Sequence, residues 1–114
     1  MCGRYQFSIE EQTLREIVKE AERNSKTGQT IHTGEIYPTN NVAVLLPAPD
    51  KPKVEAMKWG FPNSWNNGTT INARSETVFE KKMFAKSVRE QRCIIPASGF
   101  FEWHKTQAGK DKYL

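Results

Sequence analysis

Cysteine and histidine are scarce, two of each in 114 residues: Cys2, Cys93, His32 and His104. Neither pair has zinc-ligand spacing or a partner motif, so the sequence predicts no metal site and no cofactor. No apolar run approaches the roughly 18 residues a membrane helix needs, and no secretory core follows the first residues. Membrane spanning and export are therefore not expected. That leaves the cytosol, nucleoid or nucleus, where thiols stay reduced, so Cys2 should be free. Repeats and low-complexity tracts are missing too, and six prolines and seven glycines are too few to suggest disorder.

What is present is a polar, basic and fairly aromatic chain. Apolar residues make up 37% and mean hydropathy is −0.70, so the core must be modest, with 11% aromatics supplying bulk. The length fits one domain, or a piece of one, over residues 1–114. Seventeen Lys and Arg against thirteen Asp and Glu give a net charge of +4 and a pI near 9.2. Such a charge permits a polyanionic partner such as nucleic acid without requiring one.

The hydrophobic pattern predicts an α+β chain with a β-rich centre. "SIEEQTLREIVKEAER" reads as a helix, with Ser8 as N-cap and Glu11 closing a capping box. Leu14, Ile17, Val18 and Ala21 form its apolar stripe. "GEIYPTN" reads as a turn around Pro38, "NVAVLLP" as a buried strand, and "KVEAMKWGF" as a second strand. "PNSWNNGTT" is a polar loop tipped by Trp65, and "VFEKKMFAKSVREQ" contains a helix pairing Phe84 with Val88. "RCIIPASGFFEW" predicts two short strands broken at Pro96–Gly99, and "KTQAGKDKYL" a hairpin turn into another strand.

The first residues, "MCGRY", carry the most chemistry. Removal of Met1 would leave Cys2 with a free α-amine and a thiol on adjacent carbons. Such a 1,2-aminothiol condenses with an aldehyde to an imine, and the thiol then closes a five-membered thiazolidine. An α-amine has a pKa of about 7.7–8.0, so part of it is unprotonated near neutrality, unlike a lysine amine near 10.4. The position also fits a frayed terminus with an incidental cysteine. "INARSET" puts Asn72 and Arg74 on one face if the stretch is extended, an amide to orient an amine and a guanidinium to hold a phosphate. A turn amide and a solvated guanidinium fit as well. "GFFEWHK" sets Glu102 between two aromatics, where it would shuttle protons on a pocket wall or face water on an edge strand. Trp65, Trp103, Pro38 and Pro62 offer stacking surfaces, with Arg4 and Arg74 to follow phosphates, the combination that holds single-stranded DNA.

Taken in order, "MCGR", "IYPTN", "KWGFPNSW", "INARSET" and "PASGFFEWHK" resemble the SRAP family, named for SOS-response-associated peptidase. The resemblance runs along the whole chain. It implies a mixed, barrel-like β fold with flanking helices. It also implies covalent capture of abasic sites in single-stranded DNA, with Cys2 attacking the open-chain aldehyde and ending in a thiazolidine crosslink. By the same resemblance Asn72 positions the amine, Glu102 takes part in proton transfer, and Arg4 and Arg74 bind DNA. Pro38, Trp65 and Trp103 lie beside the nucleotide at the lesion, and the peptidase label reflects autoproteolytic release of Met1. The family's later histidine, which assists ring opening and crosslink reversal, has no match here, because His32 and His104 fall in other segments. The expectation is thus an N-terminal portion of the domain, completed by a C-terminal remainder, a second chain or another copy. Two other classes fit the residues: an N-terminal-nucleophile amidohydrolase using Cys2, and a non-covalent single-stranded DNA module.

Overall fold

The computed structural model describes residues 2–26, 28–106 and 108–114. The chain order is β1 (Tyr5–Phe7), α1 (Gln12–Asn24), β2 (Gly34–Ile36), β3 (Asn41–Leu46) and β4 (Lys53–Lys58), followed by β5 (Phe61–Pro62) and β6 (Thr69–Thr70). Then come α2 (Ala85–Glu90), β7 (Gly99–Phe100), β8 (Glu102–Thr106) and β9 (Gly109–Tyr113). The architecture is mixed α/β, as the pattern predicts.

β3 is the central wall. Its run Asn-Val-Ala-Val-Leu-Leu lacks polar alternation because both faces are covered. Side chains alternate across a strand, so Val42 and Val44 join Tyr5, Phe7, Leu14 and Ile36 in one cluster. Ala43 turns the other way, to Ala21, Ile31 and Val54. Helix α1 spans both clusters: Leu14 and Ala21 are buried, while Ile17 and Val18 pack against each. The predicted apolar stripe is therefore the buried one. β3 and β4 pair over their full lengths, from Asn41 opposite Lys58 to Leu46 opposite Lys53.

Four details differ from the sequence reading. The helix begins at Gln12, not Ser8, and its N-cap Glu11 makes no side-chain capping bond. Residues 8–11 form a turn instead. Ser8 Oγ accepts from the Glu10 N–H, Ser8 N–H donates to Ser98 Oγ, and Arg15 reaches back to donate to the carbonyls of Ile9 and Glu10. "GEIYPTN" is half strand: Gly34–Ile36 pairs with β1, Tyr5 opposite Ile36, and the chain turns only afterwards. In that turn Tyr37 N–H donates to Asn40 Oδ1, and Thr39 takes a φ of 73°. "INARSET" forms no strand; β6 ends at Thr70.

The fourth difference is architectural. β1 lies between β2 and β7 in one antiparallel sheet, while β3–β4, β5–β6 and β8–β9 are separate two-stranded pairs. Among the described residues no barrel closes. The ladders are too short for that: β7 offers β1 only two paired residues, and only the Leu45–Ile94 bridge ties the segment before it to β3.

Candidate functional site

Cys2 precedes β1 and is half-buried. Two hydrogen bonds fix it. Its Sγ–H donates to the Arg4 carbonyl at 3.3 Å, and its own carbonyl accepts from Asn72 Nδ2 at 2.9 Å. The Asn72 segment is held in turn by the neighbouring Ile71 carbonyl, which accepts from Trp59 Nε1 at 3.2 Å. The side chain predicted to orient the Cys2 amine thus touches the Cys2 peptide, 70 residues away in sequence.

Both residues line a cavity of about 850 Å³. Tyr5, Val42, Val44, Trp59 and Ile71 give it apolar walls, and Cys93 is among the residues that line it. The Tyr5 ring packs against Trp59, with centroids 5.6 Å apart. Its hydroxyl has no hydrogen-bond partner among the described residues, and burial pushes the phenol up to about 12. Cys93 is a lining residue that spacing missed; tertiary folding alone brings it to the same cavity as Cys2. Another concavity, along the charged face of α1 from Glu16 to Arg23, holds none of the candidate residues.

Arg4, two residues after Cys2, centres a cation–aromatic cluster. The Arg4 guanidinium stacks 3.8 Å from the centre of the Tyr37 ring and 5.6 Å from that of Trp103. Arg4 Nη1 also pairs with Glu35 at 3.5 Å, and Lys112 Nζ donates to the same carboxylate. Lys112 sits 4.3 Å from the centre of the Phe101 ring. The Lys112 hydrogen bond, with the charges of Lys112 and Arg4, holds the Glu35 carboxyl below its ordinary value against the opposing pull of desolvation. Tyr37 is legible in the sequence only as the neighbour of Pro38. Glu35 and Lys112 carry no sequence signal, since two charged strand residues look like any solvated face.

The other candidates are placed less closely. Pro38 follows Tyr37 in the turn and is half-buried. Trp103 is 37% exposed on β8, within reach of Arg4. Trp65 projects from the loop between β5 and β6, 69% exposed. Arg74 is exposed, and its carbonyl accepts from the Thr77 N–H. Glu102 opens β8 opposite Tyr113 and is half-buried. Phe101 N–H donates to the Arg4 carbonyl, which brings Glu102 to the first residues of the chain. No hydrogen bond joins Glu102 to Cys2 or Asn72 among the described residues. There is likewise no group of three His, Cys, Asp or Glu set to hold a metal among them.

On a mixed α/β fold, a cysteine whose carbonyl is held by an amide and whose thiol borders an apolar cavity makes a candidate site for thiol chemistry. The chain belongs to the SOS response associated peptidase (SRAP) family, which it matches over residues 1–114. It is 30% identical over 116 residues to the abasic site processing protein YoqW of Bacillus subtilis, covering 92% of this chain and 49% of that protein. It is 31% identical over 117 residues to YedK of Escherichia coli, also named an abasic site processing protein, covering all of this chain and 53% of that one. A shorter match, 36% over 67 residues, reaches HMCES of Xenopus tropicalis, covering 51% of this chain and 20% of that protein. The chain thus spans about half the length of the bacterial relatives. No solved structure matches it.

Proposed function

We propose that this chain captures abasic sites in single-stranded DNA through Cys2. Once Met1 is hydrolysed away, by the chain itself on the family's pattern, the Cys2 amine adds to the open-chain aldehyde of the abasic sugar. Loss of one water gives an imine. The thiol then adds across the C=N bond, its proton passing to nitrogen, and a thiazolidine crosslink results.

The observation that carries this reading is the Asn72 Nδ2 bond to the Cys2 carbonyl, 2.9 Å long. An amide already bound to the reacting residue fixes its backbone, and so the direction of its amine. Glu102 would move protons during imine formation. Arg4 and Arg74 would hold phosphates, with Pro38, Trp65 and Trp103 against the bases. The names of the relatives support abasic-site processing as the activity and DNA as the partner. No helix among the described residues is long and apolar enough to cross a membrane, and the proposed place of work is the cytoplasm or nucleoid.

Intact-mass spectrometry before and after incubation with a single-stranded oligonucleotide bearing one abasic site tests the proposal. The expected result is loss of Met1, then a gain equal to the oligonucleotide minus one water. Cys2→Ser should bind the oligonucleotide yet form no heat-stable adduct. A processed wild-type chain that stays unmodified would overturn capture by this chain, and a heat-stable adduct on Cys2→Ser would overturn the role of the thiol. Hydrolysis of an amide by wild type but not by Cys2→Ala, with no adduct, would point to the amidohydrolase reading.

A further inference from the structure

Glu35 is not among the candidate site residues, yet its carboxylate ties Arg4 to a second cation. It lies on β2, opposite Gln6 in the β1 ladder, with a half-buried side chain. Its carboxylate meets two cations from opposite ends of the chain, Arg4 ahead of β1 and Lys112 on β9. Each cation is also seated on a ring, Arg4 on Tyr37 and Lys112 on Phe101. Without the carboxylate, two like charges would face each other, and two long side chains would regain their rotamers. With it, the two cations are held on one carboxylate, and one of them belongs to Arg4, whose carbonyl accepts from the Cys2 thiol.

We propose that Glu35 is the positioning residue of the DNA-binding face, and that Lys112 is a further phosphate-binding residue held by it beside Arg4. The inference rests on the DNA reading of Arg4 above and extends it to a pair of cations. Neither cation is used up by the carboxylate. A guanidinium has five N–H donors and an ammonium three, whereas the pairing engages one nitrogen of each. The depressed titration of Glu35 agrees with this, since the carboxylate stays charged near neutral pH.

The test uses two readouts. Binding to an undamaged single-stranded oligonucleotide is measured by anisotropy from about 50 to 200 mM salt, and crosslinking to an abasic one is measured against protein concentration. Glu35→Gln keeps the shape and removes the charge. It is expected to weaken binding about fivefold and to reduce the log–log salt slope by about 0.7 for each phosphate no longer neutralised. The half-saturating concentration for crosslinking should rise while the maximal rate holds. Lys112→Ala, at an exposed hairpin position, should reproduce one cation's share of that weakening, and the double variant should weaken binding by less than the sum. A merely structural role would lower the folded fraction and leave the salt slope alone. If wild type crosslinks normally and Glu35→Gln matches it in affinity and slope, or binds more tightly, the inference is overturned and the capture reading stands. If wild type neither binds nor crosslinks, the capture reading fails, and the inference with it.

Discussion

Tyr5 sits where the core and the cavity meet, and its hydroxyl is the buried polar group with the clearest consequence. Its ring is 7% exposed, and its hydroxyl lacks a partner among the described residues. Burial raises the phenol to about 12, above the 10 of an exposed tyrosine. As pH rises past 10 the unfolded chain gives up this proton first. Stability that is complete below pH 10 is therefore lost progressively between pH 10 and about 12. Tyr5→Phe removes that loss. Urea unfolding should show the variant within about 1 kcal/mol of wild type at pH 7, because no hydrogen bond disappears, and more stable than wild type at pH 11. A loss of several kcal/mol at pH 7 would mean that the hydroxyl has a partner. Residue chemistry of this kind is the part that sequence conveys least. Cys2, Asn72 and Arg4 stand out by their types and motif. That Cys93 shares the cavity, and that Glu35 joins Arg4 to Lys112, depends on which strands end up as neighbours.

Elements are legible where one periodicity dominates. The non-alternating run of β3 and the stripe of α1 are visible because each reports its own burial. The helix start is hidden because Ser8 and Glu11 match a capping box, while Arg15 and Ser98 supply the competing bonds. Pro38 likewise draws attention to a turn and hides the three-residue strand ahead of it, which only β1 can reveal. Gly60, between β4 and β5, is a further element-scale device. Its φ is +114°, and a Cβ there would lie 2.1 Å from Thr69 Cγ2 across the β5–β6 pair. Gly60→Ala should cost about 1–3 kcal/mol in thermal or urea unfolding. It should also shift the loop that carries Trp65, so stacking on single-stranded DNA weakens alongside stability. An unchanged midpoint would show that the strand edge gives way freely.

The whole molecule is loosely drawn together. Its radius of gyration is 15.7 Å, against about 13 Å for a compact domain of this length. Ile94, Ile95, Phe100, Tyr113 and Leu114 stand more than half exposed. The barrel implied by resemblance is the largest fold-level expectation, and among the described residues four separate sheets stand where a closed one was expected. Uncovered apolar surface on a chain of net charge +4 predicts self-association that salt strengthens, since screening lowers repulsion between copies. Binding to DNA should instead weaken with salt. Sedimentation velocity across protein concentration and ionic strength checks the first; a monomer at every condition would contradict it.

The Leu45–Ile94 bridge has a consequence for access. Two backbone hydrogen bonds, 2.8 and 2.9 Å long, make that bridge and hold the Cys93 side of the cavity to β3. The β3 and β4 residues of the lining belong instead to a six-residue ladder. Local opening follows the weakest cooperative unit, so the two parts of the lining differ in how often they part. In amide-exchange terms the Ile94 proton is expected to leave before that of Val44. The Cys93 thiol, next to the bridge, is then expected to move with a segment that opens locally while the β3–β4 ladder stays closed.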